Sequence, residues 1–308
     1  SQLVELILGV REVCPEPPAL AVDLEGGPVN RLAHLDPALA RLPAARIQAA
    51  WPTERLERVW RGVGDVLAAL GFDIDFAPVV DLDEGDGSNG IGPRAFGAEP
   101  GRVAAAAGAV LAGLAAAGVA GCLKHFPGLG ETETDTHESL AVCEAAADRL
   151  WDRHARPFRE LAARSPLVMI AHAWYPAVDP GDPLPATFSE RLVTGWLRER
   201  CRYEGLVITD DLTMGALRAW PSPGERALRA LRAGADLVLF CRDLDAPRRA
   251  RDALARALER GDLPEDQPER ALSRLAGLLE RSRPAGASTR EIVSRAAEAA
   301  RRLGEFLA

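Results

Sequence analysis

The densest chemistry in the sequence is the stretch KHFPGLGETETDTHESL at 124–140. Lys124 and His125 close an apolar run, Phe126-Pro127-Gly128-Leu129-Gly130 forces a turn, and a polar loop then carries Asp135 and His137. Residues at i and i+2 point apart on a helix but share a face in extended chain. The Asp135 carboxylate can therefore hold one ring nitrogen of His137 and leave the other to move a proton. An imidazole oriented in this way titrates near neutrality and suits general acid/base work. A second stretch, EGLVITDDLTMGAL at 204–217, runs an apolar segment straight into Asp210 and Asp211. By residue type alone, either acid could cap a following helix, hold magnesium or act as a nucleophile. With two acids in a row, one can cap while the other faces a cavity.

Groups this far apart in sequence need elements that end at one place. Helical stretches stop at a glycine directly before short apolar runs: LAALGFDIDFAPVV at 67–80, AAAGVAGCLKH at 115–125, RYEGLVITD at 202–210 and LRAGADLVLF at 231–240. Glycine takes the left-handed conformation that closes a helix, and the run after it reads as a buried parallel strand. PALAVDLEGG at 18–27 and PLVMIAHAWYP at 166–176 add two strands entered through proline. Six strands alternating with helices predict an α/β fold with a parallel sheet. Each strand ends in polar residues: Asp23 and Glu25, Asp81, Lys124 and His125, His172, Asp210 and Asp211, Arg242 and Asp243. Chemistry at the C-terminal ends of all the strands is the habit of a (β/α)8 TIM-type barrel, whereas an open doubly wound sheet gathers it at one switch point. No GxGxxG or GxxxxGK[ST] phosphate loop follows any strand. The expectation is one barrel domain over 1–308 that lacks its first one or two strands. A C-terminal helical extension over about 262–308, within helices expected at 245–260, 268–281 and 289–307, packs on it. The last of these opens with a Ser288-x-x-Glu291 capping box.

Composition narrows the function classes. A net charge of -8 argues against nucleic-acid binding. Residues 103–123 carry no charge over a bilayer's length, but alanine and glycine dominate, so a buried helix stopping near Gly118 is expected rather than a membrane span. The N-terminus lacks the basic region of a secretion signal. Five cysteines, widely spaced and without a CxxC pair, fit reduced thiols in a cytoplasmic protein, with no metal site and no cofactor. Of 37 basic residues Lys124 is the only lysine.

The pairing of KHFPG-x-G-x4-D-x-H with a later [ST]-D-D-L-[ST]-M resembles the β-N-acetylhexosaminidases of glycoside hydrolase family 3, the bacterial peptidoglycan-recycling type. AVDLEGGPVNRL at 21–32, DFAPVVDL at 75–82, IGPRAFG at 91–97, AHAWYPAVDP at 171–180 and AGADLVLFCRD at 233–243 fall in the same order, so the resemblance covers about residues 15–245. It implies a (β/α)8 barrel, a nucleophile at Asp210, and a general acid/base at His137 oriented by Asp135. It further implies that Asp23, Arg31, Arg94, Lys124 and His125 hold sugar hydroxyls and the N-acetyl group, with His172 facing the cavity. The activity implied is a retaining, cytoplasmic exo-β-N-acetylglucosaminidase acting on cell-wall fragments, a monomer whose partner is a small carbohydrate. Two other activities fit the motifs: a β-glycoside phosphorylase, and a sugar-binding barrel without turnover. The chain departs from the family pattern at Leu129, where a second histidine is usual, and at Pro28 and Asn30 in the EGG segment. Only residues 1–17 precede the AVDLEGG strand, where the family places two more strands.

Overall fold

Six short parallel strands pair in chain order to make one curled sheet: β1 (Ala21–Val22), β2 (Ile74–Asp75), β3 (Ala120–Phe126), β4 (Leu167–Ile170), β5 (Leu206–Asp211) and β6 (Leu237–Leu239). This computed structural model describes residues 2–16, 18–84, 90–132, 134–280 and 289–308. Register runs through Ala21↔Ile74, Ile74↔Ala120, Cys122↔Leu167, Leu167↔Leu206 and Leu237↔Ile208. Among the described residues β1 and β6 are the two edges, so the sheet has the six strands expected and an unclosed seam.

The helices form where apolar residues recur at helical spacing. Helix α1 (Gln2–Val13) leads to α2 (Thr53–Leu70), which buries Leu56, Val59, Trp60, Val63, Val66, Leu67 and Leu70 along one stripe. Each such side chain contributes about 1.5–3 kcal/mol. Helix α2 ends at Gly71, whose φ of 97° turns the chain into β2. The uncharged stretch flagged in the sequence is α3 (Pro100–Ala116), and its small residues have a packing reason. A Cβ on Gly113 would sit 2.5 Å from the Glu57 carbonyl oxygen of α2, so the two backbones touch there only because the side chain is absent. Among the described residues no helix is long and apolar enough to cross a membrane.

Farther on come α4 (Pro223–Ala233), α5 (Ala246–Glu259), α6 (Gln267–Leu279) and α7 (Thr289–Leu307), close to the expected bounds. The serine of the expected capping box, Ser288, lies outside the described residues. The strand expected at 18–27 is split: after β1 the chain forms a ribbon of Leu24–Gly26 with Val29–Asn30, turned by Gly26 and Gly27 at φ 87° and 57°. The strand expected to run to Val80 pairs only at Ile74–Asp75, with a single further bridge between Val79 and Lys124. Pro78 has no N–H with which to continue the ladder.

The side chains on the concave face of the sheet (Ile74, Phe76, Cys122, Leu167, Met169, Leu206 and Ile208) form a cluster of their own, closed from below by Leu278 of α6. The larger core lies between the sheet and its helices.

Candidate active site

Strand periodicity aims the first key residue. Leu206 and Ile208 of β5 point into the concave cluster, so Asp210, two residues on, shares their face and emerges into the pocket at the strands' C-terminal ends. Asp211 points the other way and spends its carboxylate on local structure. It accepts from Thr213 N at 2.9 Å, Cys241 N at 3.0 Å and the Thr213 hydroxyl at 2.6 Å. The doublet thus divides into one acid that ties the turn after β5 to the end of β6 and one cavity acid; the expected helix cap is not formed, since the next helical turn has no side-chain cap. Burial pushes the Asp210 carboxyl up, but His125, the Asp211 N–H and Lys124 outweigh it and hold it below the usual aspartate range. An ionised carboxylate at the mouth of a barrel is poised as a nucleophile.

The same alternation on β3 sets Lys124 above Cys122. Its ammonium, 2% exposed, lies 2.9 Å from Asp23 and 2.6 Å from Glu25. Glu25 also accepts two hydrogen bonds of 2.8 Å from the Arg94 guanidinium in a bidentate pair. Burial pushes the Glu25 carboxyl up, yet Lys124 and Arg94 overcome it and bring it down to about 2. The wall of the pocket is therefore a fixed set of charges, two cations against two carboxylates. Beneath it Asp75 is fully buried, accepts from Leu24 N at 3.0 Å, and is driven by desolvation well above the ordinary aspartate range.

His125 is held from behind. Its Nδ1 donates to Asp81 at 2.7 Å, and the Asp81 carboxylate also accepts from the backbone N–H of His125 and of Leu129, at 3.2 and 2.8 Å. Nε2 of His125 is left facing Asp210 Oδ2 at 3.9 Å. After β3 the loop carries the expected dyad: the Asp135 carboxylate receives both Nδ1 (2.8 Å) and the backbone N–H (2.9 Å) of His137, which frees Nε2. The loop is seated on the turn after β5. Gly215 N donates to the His137 carbonyl at 3.1 Å and Ala216 N to the Thr136 carbonyl at 3.2 Å.

One pocket of about 120 Å³ gathers eight of the nine residues anticipated: Asp23, Arg31, Arg94, Lys124, His125, Asp135, His137 and Asp210. His172, expected to face the cavity as the ninth site residue, departs from that placement. It lies behind the pocket, 1% exposed, with both ring nitrogens on protein partners, Thr187 Oγ1 at 2.6 Å and the Asp211 carbonyl at 3.1 Å. Glu25 and Asp81, read in the sequence among the polar residues at strand ends, have central places here. Their signal was position, each standing at the end of a strand. A larger cavity, about 590 Å³, opens at the opposite ends of β3 to β5, but its lining of Arg164, Arg202, Arg274, Glu204 and apolar side chains offers no paired carboxylate and imidazole. Size does not locate the chemistry. Among the described residues no group of three or more His, Cys, Asp or Glu side chains is disposed to hold a metal ion.

The chain is similar in sequence and fold to known proteins. The profile described as "Glycosyl hydrolase family 3 N terminal domain" matches residues 1–278. A "Beta-hexosaminidase" of Pseudomonas aeruginosa is 37% identical over 258 residues, covering 83% of this chain and 75% of its own. One from Xylella fastidiosa is 40% identical over 266 residues, with the same two coverages. The solved glycoside hydrolase family 3 β-N-acetylglucosaminidase of Paenibacillus sp. str. FPU-7 superposes with a TM-score of 0.87 at 32% identity. That match covers 97% of this chain and 59% of the Paenibacillus chain. The structure titled "M tuberculosis LpqI" gives a TM-score of 0.80 at 34% identity, covering 92% and 81%. By profile, sequence identity and fold, the chain belongs to glycoside hydrolase family 3, a family of glycoside-cleaving enzymes with a TIM-like barrel.

Proposed function

We propose that the protein is a retaining exo-β-N-acetylglucosaminidase that removes terminal N-acetylglucosamine from cell-wall fragments. The observation that carries this reading is the convergence on one pocket of an ionised Asp210 and the Asp135–His137 dyad. In the first step Asp210 attacks the anomeric carbon while the bond to the leaving oxygen breaks, and His137 Nε2 gives that oxygen its proton. In the second, His137 takes a proton from water, whose oxygen displaces Asp210 and restores the same anomeric configuration. An imidazole can serve as acid/base here because Asp135 holds its Nδ1 and leaves Nε2 to give and take a proton. The His137 side chain of this dyad is 55% exposed. Asp23, Lys124, Arg94 and Arg31 present charged donors and acceptors to sugar hydroxyls and the N-acetyl group. The relatives' names support the substrate class, and five unpaired cysteines support a reducing compartment, the cytoplasm.

The test is turnover of 4-nitrophenyl N-acetyl-β-glucosaminide. The wild type should release nitrophenol at the same rate with or without added inorganic phosphate. Asp210→Ala should lose at least about a thousandfold in kcat, and His137→Gln should accumulate a glycosylated enzyme visible by intact mass. A wild type without turnover, or one that needs phosphate, overturns the assignment.

A further inference from the structure

His172 closes β4 beside the strand that carries Asp210, and both it and Thr187 are 1% exposed. Its two ring contacts admit a proton count. The Asp211 carbonyl, 3.1 Å from Nε2, bears no hydrogen, so the proton of that contact belongs to Nε2. In a neutral ring Nδ1 is then an acceptor, and the hydroxyl of Thr187, 2.6 Å away, is the donor it meets. Thr187 Oγ1 also lies 2.9 Å from the Ala171 carbonyl, but one hydroxyl has one proton. Serving Ala171 with it would require a ring that donates from both nitrogens, an imidazolium, at a site where burial pushes the His172 pKa down. The neutral ring with its proton on Nε2 is the form these contacts select.

What that ring holds is the residue that grips Asp210. The N–H of Asp211 donates to Asp210 Oδ1 at 2.7 Å, its carboxylate is tied to Thr213 and Cys241, and its carbonyl is tied to His172. Asp211 is thereby fixed at its N–H, its side chain and its C=O. We infer that Thr187 and His172 are positioning residues for Asp210: Thr187 anchors the ring at Nδ1, the ring holds the Asp211 backbone through Nε2, and the Asp211 N–H occupies Asp210 Oδ1. Oδ2 is left as the oxygen that meets the anomeric carbon. The inference rests on the assignment of Asp210 as nucleophile. It also gives His172 work that does not involve touching the sugar.

Thr187→Val removes the hydroxyl at nearly constant shape, and Thr187→Ser restores it. On the nitrophenyl glycoside, Thr187→Val should lower kcat about 10- to 100-fold with KM within about threefold of wild type, the pattern of a misaimed rather than an unbound substrate. Thr187→Ser should recover most of the loss. The long-range imidazole ¹⁵N–¹H spectrum supplies a readout that needs no activity. The wild-type His172 ring should show the neutral Nε2–H pattern, and Thr187→Val should keep that pattern while shifting the resonance of the Nδ1 that has lost its donor. A wild-type ring protonated on Nδ1 overturns the inference. So does an active wild type matched in kcat by Thr187→Val, or an equal loss in the valine and serine variants, which would mark packing rather than the hydrogen bond. A wild type that cleaves nothing defeats the assignment of function instead, and the spectrum still decides the tautomer.

Discussion

Lys124 ends in a socket formed by two carboxylates, Asp23 at 2.9 Å and Glu25 at 2.6 Å, with Arg94 filling the other side of Glu25. A chain that uses arginine at 36 other positions keeps a lysine here because a compact ammonium fits where a planar fork would displace Arg94 or enter the pocket. Lys124→Arg keeps the charge and loses the fit. We expect kcat/KM on the nitrophenyl glycoside to fall at least about tenfold, roughly the loss of one charge-assisted hydrogen bond, and unchanged kinetics would refute the socket. At this scale much was legible in the sequence. The i, i+2 spacing of Asp135 and His137 and the acid doublet at the end of an apolar run gave their geometry from local chain rules. Glu25 and Asp81 were not legible as partners. Their contacts, Lys124 and His125, lie 99 and 44 residues away along the chain, and no local rule announces an ion pair at that separation. His172 was found but its aim was not, because direction at a strand end depends on the twist of the neighbouring strand.

The loop that carries the dyad is held by its backbone as much as by its side chains. Gly215 and Ala216, in the turn after β5, donate to the carbonyls of His137 and Thr136, and a Cβ on Gly215 would lie 2.5 Å from both the His137 and Glu138 carbonyl oxygens. The turn after Asp210 is therefore the seat for the loop that carries Asp135 and His137, and only a residue without a side chain allows so close an approach. Gly215→Val should unseat the loop by removing two backbone hydrogen bonds, worth together about 1–3 kcal/mol. The expected result is a fall of about 10- to 100-fold in kcat/KM, with faster proteolytic nicking between 131 and 140. Wild-type kinetics and protection would sink the idea. The far end of the loop is pinned by a small parallel pair, Ala141 with Ala173 and Val142 with Trp174. Neither anchor was visible in the sequence, since two-residue pairs lack a period to detect. The helix ends at Gly71, Gly118 and Gly234 and the strands after them were visible, because left-handed glycine followed by a β-branched run is a local signal. Gly205, however, closes no helix: the one before β5 is capped at Cys201, and Arg202 takes the left-handed turn at φ 52°. The split of the 18–27 strand into β1 and a ribbon was not, because the same alternation serves either.

At the scale of the whole molecule the alternation of helices and apolar runs was enough to give a parallel sheet with polar strand ends, but it said nothing of which helix would cover which face. The C-terminal helices do two different jobs. Leu278 of α6 closes the concave cluster from below, opposite the pocket. Helix α7, beyond the 1–278 span of the family profile, lies against α2, where Leu303 and Phe306 approach Gly62. Since α2 leads through Gly71 into β2, and β2 pairs with both β1 and β3, this helix supports the half of the sheet that bears Asp23, Glu25 and Lys124. We propose that α7 folds as part of the barrel domain rather than as a separate tail. Leu303 is fully buried, so Leu303→Ala should cost about 2–5 kcal/mol and lower Tm by about 5–15 °C. If helix and barrel are one unit, circular dichroism and residual glycosidase activity should be lost in a single coincident transition. An activity that survives a first, lower-temperature loss of helical signal would show that α7 melts alone and that the sheet does not depend on it.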